Sequence, residues 1–158
     1  MAEEGFAGRC ACGAVRFAMK GRPIVVHACH CSECQRLSGA AFAVNAVIET
    51  DRVDVLAGEL GRAPVVGTSG KEQTILRCPA CRVALWSHYP TAGERVAFVR
   101  VGTLEEPGRL PPDIHIFTST RLPWLPLPED VRAVPEFYSP REVWPAESLE
   151  RWRRAMGG

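Results

Sequence analysis

Val15, Phe17 and Met19 alternate with Ala14, Arg16 and Ala18, the period-two pattern of a strand with one buried face. Short apolar runs of the same kind recur at residues 24–28, 41–48, 53–56, 74–76, 83–86, 96–101 and 114–117. Gly, Pro, Asp or Ser separates most of them, at the spacing of antiparallel strands joined by turns, so the pattern predicts a mostly β fold.

Nine of the 13 prolines fall between Pro107 and Pro145, where they remove backbone donors and block regular helix or central strand. Residues 107–145 are therefore expected to wrap over the sheets as an irregular segment. Pro145 suits the first turn of a short C-terminal helix over about residues 145–156, with Leu149, Trp152 and Met156 on one face. Glu147 with Arg151, and Glu150 with Arg154, have the i,i+4 spacing of helix ion pairs. An amphipathic helix of this kind reads as a packed cover. No internal repeat or low-complexity segment is present.

At 158 residues the chain has the size of one domain. Its 46% apolar and 23% charged residues are ordinary globular usage, which argues against a disordered or membrane protein. The formal charge is +1, and the basic residues are scattered until Arg151, Arg153 and Arg154, so nucleic acid is not an expected partner. The start, Met1 to Gly5, is acidic without the apolar stretch of a signal peptide, and no run of about eighteen apolar residues occurs. The expected location is the cytoplasm, away from membranes. Thiols stay reduced there, so seven cysteines, an odd number, point to metal ligation rather than to a disulfide framework.

The cysteines form three groups: Cys10 and Cys12; Cys29, Cys31 and Cys34; Cys78 and Cys81. An isolated cysteine is usually a buried small hydrophobe, but random placement would not gather all seven into three clusters. Zinc favours tetrahedral thiolate sets, and a short turn between two cysteines points both sulfurs inward while backbone N–H groups bond to them, forming a zinc-binding knuckle. Seven ligands divide into four plus three. A four-thiolate site is closed and structural, whereas three ligands leave the open position of a catalytic zinc. Spacing alone does not say which groups combine. The simplest division keeps Cys29, Cys31 and Cys34 together and joins Cys10 and Cys12 with Cys78 and Cys81.

With these motifs the chain resembles the glutathione-dependent formaldehyde-activating enzyme family, which also contains centromere protein V. The matching residues are Gly8-Arg9-Cys10-Ala11-Cys12-Gly13-Ala14-Val15-Arg16-Phe17 and Cys29-His30-Cys31-Ser32-Glu33-Cys34-Gln35-Arg36-Leu37-Ser38-Gly39-Ala40. Cys78-Pro79-Ala80-Cys81, Gly102-Thr103-Leu104, His115-Ile116 and Pro123-Trp124 continue the match to about Tyr138. The resemblance implies a β-tent of packed antiparallel sheets in a single zinc-binding domain, 1–158, with its core at about 8–138. It also implies structural zinc ligands Cys10, Cys12, Cys78 and Cys81, and active-site ligands Cys29, Cys31 and Cys34, where glutathione and formaldehyde meet. Two departures stand out: Arg77 and Arg82 flank the third cluster where the family usually has Phe and Gly. If position 82 needs a positive φ, a side chain there is strained, and altered turn geometry with retained zinc is expected.

Three thiolates on Zn²⁺ leave a net charge of about −1, which suits the ion less to ionising water than to accepting an outside thiol and lowering its pKa. Addition of that thiolate to a small aldehyde forms a carbon–sulfur bond, so the expected activity is that of a carbon–sulfur lyase acting on a small thiol and a small aldehyde. His30 lies between two ligands, where it could complete the site, shuttle a proton or orient a sulfur. The simpler reading is that neighbours in an extended turn face opposite ways, which turns its ring from the ion. His115 either lines the site or is a buried histidine satisfied by backbone; His27 and His88 gain no role. Arg36 and Lys71 are candidate cationic partners near the trio for a substrate carboxylate, though each alone reads as solvated surface charge. Trp124 reads as core or rim packing.

Two other functions compete. A non-enzymatic zinc module for a protein partner is at odds with an open three-ligand site, since structural zinc is normally closed by four ligands. A methionine sulfoxide reductase would need a nucleophilic cysteine outside the metal sites, and all seven are taken.

Overall fold

A computed structural model describes residues 4–158; Met1 to Glu3, part of the acidic start, lie outside the described residues. The chain is mostly β. Its strands are β1 (Gly5–Arg9), β2 (Arg16–Lys20), β3 (Val25–Cys29), β4 (Ala43–Glu49), β5 (Val53–Ala57), β6 (Gly61–Val66), β7 (Glu72–Arg77), β8 (Ala84–His88), β9 (Val96–Arg100), β10 (Ile114–Ile116) and β11 (Arg132–Ala133). Three helices join them: α1 (Ser32–Ser38), α2 (Pro140–Val143) and α3 (Ala146–Ala155).

The strands form a three-stranded sheet, in the order β1-β2-β5, and an eight-stranded sheet, in the order β11-β10-β3-β4-β9-β8-β7-β6. Pairing is antiparallel except where β10 runs parallel to both β3 and β11, a departure from the all-antiparallel expectation. The proline-rich segment is thus irregular over much of its length, yet donates a strand that lays His115 opposite Ala28 on β3.

Alternation along the central strands gives the large sheet two different faces. Val26, Ala46, Ile48, Trp86, Ala97 and Val99 point toward the small sheet and pack with Phe6, Phe17 and Met19. Phe17 meets Trp86 edge-on at 5.5 Å. Gly8 sits opposite Phe17 so closely that an added Cβ would lie 2.4 Å from the Phe17 ring, so the residue opposite that ring must be glycine. The other face carries Val25, Cys29, Ala43, Val47 and Val96 and is covered by α1, the proline-rich segment and α3.

Helix α3 matches the expected C-terminal helix. Leu149, Trp152 and Met156 pack onto the second face, Trp152 against Trp144 at 5.5 Å, and the Ser148 hydroxyl donates to the Ile24 carbonyl at 2.7 Å. Of the two expected ion pairs, Glu150–Arg154 forms at 2.9 Å and Glu147–Arg151 does not. Arg151 turns inward to Glu49 on β4, giving two bonds of 2.8 and 2.5 Å, and adds one to the Arg22 carbonyl. A bidentate partner shielded from water outcompetes a solvated neighbour one turn away. Among the described residues no helix is long and apolar enough to cross a membrane.

The Arg151–Glu49 pair fixes the far end of the cover. Burial alone would push the Glu49 carboxyl up, but the Arg151 hydrogen bonds, a backbone bond and the Arg151 and Arg52 charges hold it below the ordinary carboxylate value. A carboxyl lowered in the folded state stabilises the protein above its unfolded pKa and loses that contribution as pH falls through the folded value. Arg151→Ala is expected to cost about 1–3 kcal/mol in urea unfolding at pH 7, with the deficit shrinking in acid as Glu49 protonates. An unchanged unfolding midpoint at pH 7 would contradict this.

Candidate functional site

The structure gathers the sulfurs into two groups. Those of Cys10, Cys12, Cys78 and Cys81 lie within 4.8 Å of one another, as do those of Cys29, Cys31 and Cys34. All seven cysteines of the chain are in these two groups.

The four-sulfur group is built by two turns of one design. After β1, the Gly13 N–H donates to the Cys10 carbonyl, the Cys10 N–H to the Val15 carbonyl, and the Val15 N–H to the Cys10 sulfur at 3.3 Å. After β7, the Arg82 N–H donates to the Cys78 carbonyl and the Cys78 N–H to the Val83 carbonyl, both at 3.0 Å. Each turn needs a residue of positive φ behind its last cysteine: Gly13 at +76° and Arg82 at +67°. The altered geometry expected from Arg82 does not occur; the arginine adopts the left-handed conformation and the turn is kept.

The spacing fits zinc. Sulfur pairs stand at 3.6 Å for Cys10–Cys12 and 3.8 Å for Cys12–Cys78. A tetrahedron with metal–sulfur bonds of about 2.3 Å has edges of about 3.8 Å. Backbone donors favour charge on this set: the Val83 N–H, then that of Cys12, help hold the Cys81 thiol down at about 6.

The three-sulfur group straddles the end of β3 and the start of α1. Cys29 ends β3, Cys31 is the N-cap of α1 and Cys34 lies in its first turn, with the Cys34 N–H donating to the Cys31 sulfur at 3.3 Å. This helix was not expected; its seven residues are too few for a periodic signal. Hydrogen bonds from Cys29 and Cys34, then from the backbone at Cys34 and Glu33, hold the Cys31 thiol down at about 2. The sulfur bond to Cys31 pushes the Cys29 thiol up. Cys34 rises to about 12, because its bond to Cys29 is outweighed by Cys31 and burial. The Cys34 N–H at the start of α1 favours negative charge on Cys31. Three close thiols with no competing carboxylate suit the same soft metal.

His30 is fully buried between two trio cysteines, and neither ring nitrogen joins the three sulfurs as a candidate ligand. Its Nε2 meets His115 Nδ1 at 2.8 Å, and the rings stack at 5.1 Å. Burial, then the charges of His115 and Arg121, lower its pKa to about 4, so it stays neutral at pH 7. His115 is thus satisfied by a second imidazole, not by backbone as one reading expected. The His30 carbonyl accepts from Gln35 at 2.9 Å and from Thr120 at 3.0 Å, which ties α1 and the proline-rich segment to the trio. His27 Nε2 and the Tyr138 hydroxyl share a hydrogen bond of 2.6 Å, and the Tyr138 oxygen accepts from the Trp144 indole N–H. His88 Nδ1 donates to the Val96 carbonyl at 2.8 Å. Both are packing residues.

Arg36 and Lys71 are exposed. Trp124, expected in the core or at a rim, is 70% exposed: it sits in the Leu122–Leu125 turn, closed by a backbone bond of 3.1 Å, and points to solvent. One cation whose charge acts on the trio was missed by sequence reasoning. Arg100, last residue of β9, donates to Asn45 Oδ1 on β4 and to Ser87 Oγ on β8 at 2.8 Å, and its charge acts on Cys34. The only sequence signal for it is a charged residue inside the apolar run 96–101.

The sequence model of the family described as glutathione-dependent formaldehyde-activating enzyme matches residues 5–120. A Halomonas elongata protein whose name assigns it to the same enzymes is 27% identical over 156 residues, 95% of either chain. A crystal structure of a Rhodobacter sphaeroides protein superimposes with a TM-score of 0.46 at 22% identity, covering 63% of this chain and 87% of that one.

The left-handed Arg82 gives a test of the turn. Arg82→Gly removes a side chain from a conformation that costs an L-residue about 1–2 kcal/mol, partly offset by the freedom glycine brings to the unfolded chain. Zinc-loaded Arg82→Gly is expected to gain about 0.5–1 kcal/mol in urea unfolding with unchanged zinc content. A loss of stability would contradict it.

Proposed function

The chain belongs to the glutathione-dependent formaldehyde-activating enzyme family, and from that membership together with its three-cysteine cluster we propose that it is a zinc-dependent carbon–sulfur lyase. It joins a small, glutathione-like thiol to a small aldehyde such as formaldehyde, or cleaves the adduct. The observation that carries this reading is the division of sulfurs: four in one group and three in the other, the second one ligand short of a closed tetrahedral set.

Cys29, Cys31 and Cys34 hold the catalytic ion; Cys10, Cys12, Cys78 and Cys81 hold the structural one. Bound at the trio, zinc would supply the Lewis acidity that lowers the pKa of an external thiol. In the reaction the thiol sulfur bonds to the aldehyde carbon, the carbonyl π pair moves to oxygen, and the proton given up by the thiol ends on that oxygen. The product is a hydroxymethyl thioether, and the reverse step returns both substrates. The chain's part is to present three sulfurs from a rigid strand end and helix start, and to keep the neutral His30–His115 pair behind them.

Metal content and thiol binding test the roles together. Wild type is expected to carry two zinc ions per chain, one for each sulfur group. Cys78→Ser breaks a link between segments 66 residues apart and is expected to lower Tm by about 10 °C or more, or to leave the protein insoluble. Cys31→Ser is expected to lose about one zinc ion while keeping the β-rich circular dichroism signal. Isothermal titration of zinc-loaded wild type with glutathione should show binding that weakens as pH falls, because protons compete for the sulfur, and Cys31→Ser should abolish it. If wild type binds no thiol, a zinc module for a protein partner becomes the better account. Collapse of Cys31→Ser alongside tolerance of Cys78→Ser would mean that the two sites have exchanged roles.

A further inference from the structure

The face of the large sheet that carries Cys29 includes a polar row that crosses three strands. Strand pairing sets His27 opposite Asn45 and Asn45 opposite Arg100, so Arg100 stands on the Cys29 face two strands from β3. Two strand spacings and the two-residue offset from His27 to Cys29 put the Arg100 backbone about 12 Å from that of Cys29, within the combined reach of an arginine side chain and a ligand extending from the trio. Ser87 pairs with Phe98, two residues before Arg100, and so shares this face. Tyr89, just past the end of β8, packs its ring on Phe98 of β9 at 4.6 Å.

How Arg100 is held separates it from Arg151. Arg151 is locked against a carboxylate. Arg100 is half-buried, and its two partners, Asn45 and Ser87, are neutral oxygens that are themselves buried. Neutral acceptors aim a guanidinium without cancelling its charge, and the five N–H donors of the fork leave some unused. A half-buried cation without a carboxylate is costly unless another anion faces it. The trio is one such anion. A thiol entering the trio site adds negative charge there, so a thiol that also carries a carboxylate is repelled unless a cation receives that group.

We propose that Arg100 is the carboxylate-binding residue of the three-cysteine site, held by Asn45 and Ser87 so that the site selects thiols bearing a carboxylate over neutral thiols. This rests on the reading of the trio as a thiol-binding site. The experiment titrates zinc-loaded wild type, Arg100→Met and Arg100→Lys with glutathione, 3-mercaptopropionate and 2-mercaptoethanol, with zinc content and circular dichroism checked for each. Arg100→Met is expected to weaken the two carboxylate thiols by about tenfold or more and to leave 2-mercaptoethanol within about twofold. Arg100→Lys keeps the charge and loses the fork, so it is expected to weaken only the carboxylate thiols, by a smaller factor; this variant carries the test if Arg100→Met does not fold. Equal weakening of all three thiols would overturn the proposal and make Arg100 a general counter-charge to the trio. Unchanged binding of the carboxylate thiols would overturn it outright while leaving the thiol site standing. Absence of any thiol binding to wild type would remove the thiol site and this proposal with it.

Discussion

The structure depends on bringing four sulfurs from two distant turns into one tetrahedral group. Cys10 and Cys12 belong to the turn of the small sheet, Cys78 and Cys81 to a turn of the large one, and the sulfurs of Cys12 and Cys78 stand 3.8 Å apart. Cys10 and Cys78 are also buried members of the core that includes Phe17 and Trp86. Closing the sulfur group and packing the two sheets are therefore the same event. A divalent ion turns mutual repulsion among thiolates into attraction, so metal free energy becomes folding free energy. That coupling explains why the turns are so well specified. The backbone N–H groups of Cys10, Gly13, Val15, Cys78 and Arg82 are all engaged, and even a left-handed arginine is tolerated at position 82.

With the sheets clamped on one face, the other face of the large sheet is free to carry chemistry. The trio lies where strand gives way to helix, so Cys29 is fixed by the ladder between β3 and β4, and Cys31 and Cys34 by the first turn of α1. The proline-rich segment adds β10 alongside β3 and locks its Thr120 hydroxyl to the His30 carbonyl. That bond, with the histidine pair, makes the cover part of the site. Proline excludes regular structure here without excluding order, because the freed carbonyls and hydroxyls find specific partners.

Much of this was legible in the chain. Period-two alternation located β2 and the short apolar runs located β3, β4, β5, β7, β8, β9 and β10, while the cysteine groups announced their own chemistry. What escaped did so for physical reasons. Strand β6 contains Gly61 and Pro64, which read as turn signals, and it persists because it is an edge strand where a missing donor is harmless. Strand β11 is two residues long, and α1 is too short for its period to be seen. The Glu147–Arg151 pairing failed because sequence spacing knows only the helix, whereas Glu49 comes from a strand 102 residues away. Trp124 was read by type as a packing residue; its position in a tight surface turn overrides that tendency.

Arg100 was invisible for the most instructive reason. An arginine at the end of an apolar run looks like the solvent edge of a strand, and its meaning lies in the two strands beside it. Asn45 and Ser87 are likewise unremarkable within their own runs, yet sheet pairing puts all three on the face that carries Cys29. The four-sulfur group meets its charge with backbone N–H donors from its own turns, as at Val15 and Val83. The trio has backbone donors at Cys31 and Cys29, and the charge of Arg100 on the sheet also acts on Cys34. A cation supplied by a side chain, and left without a carboxylate of its own, stays available to an incoming anion. In that respect the trio differs from a site whose charge is already balanced by its backbone.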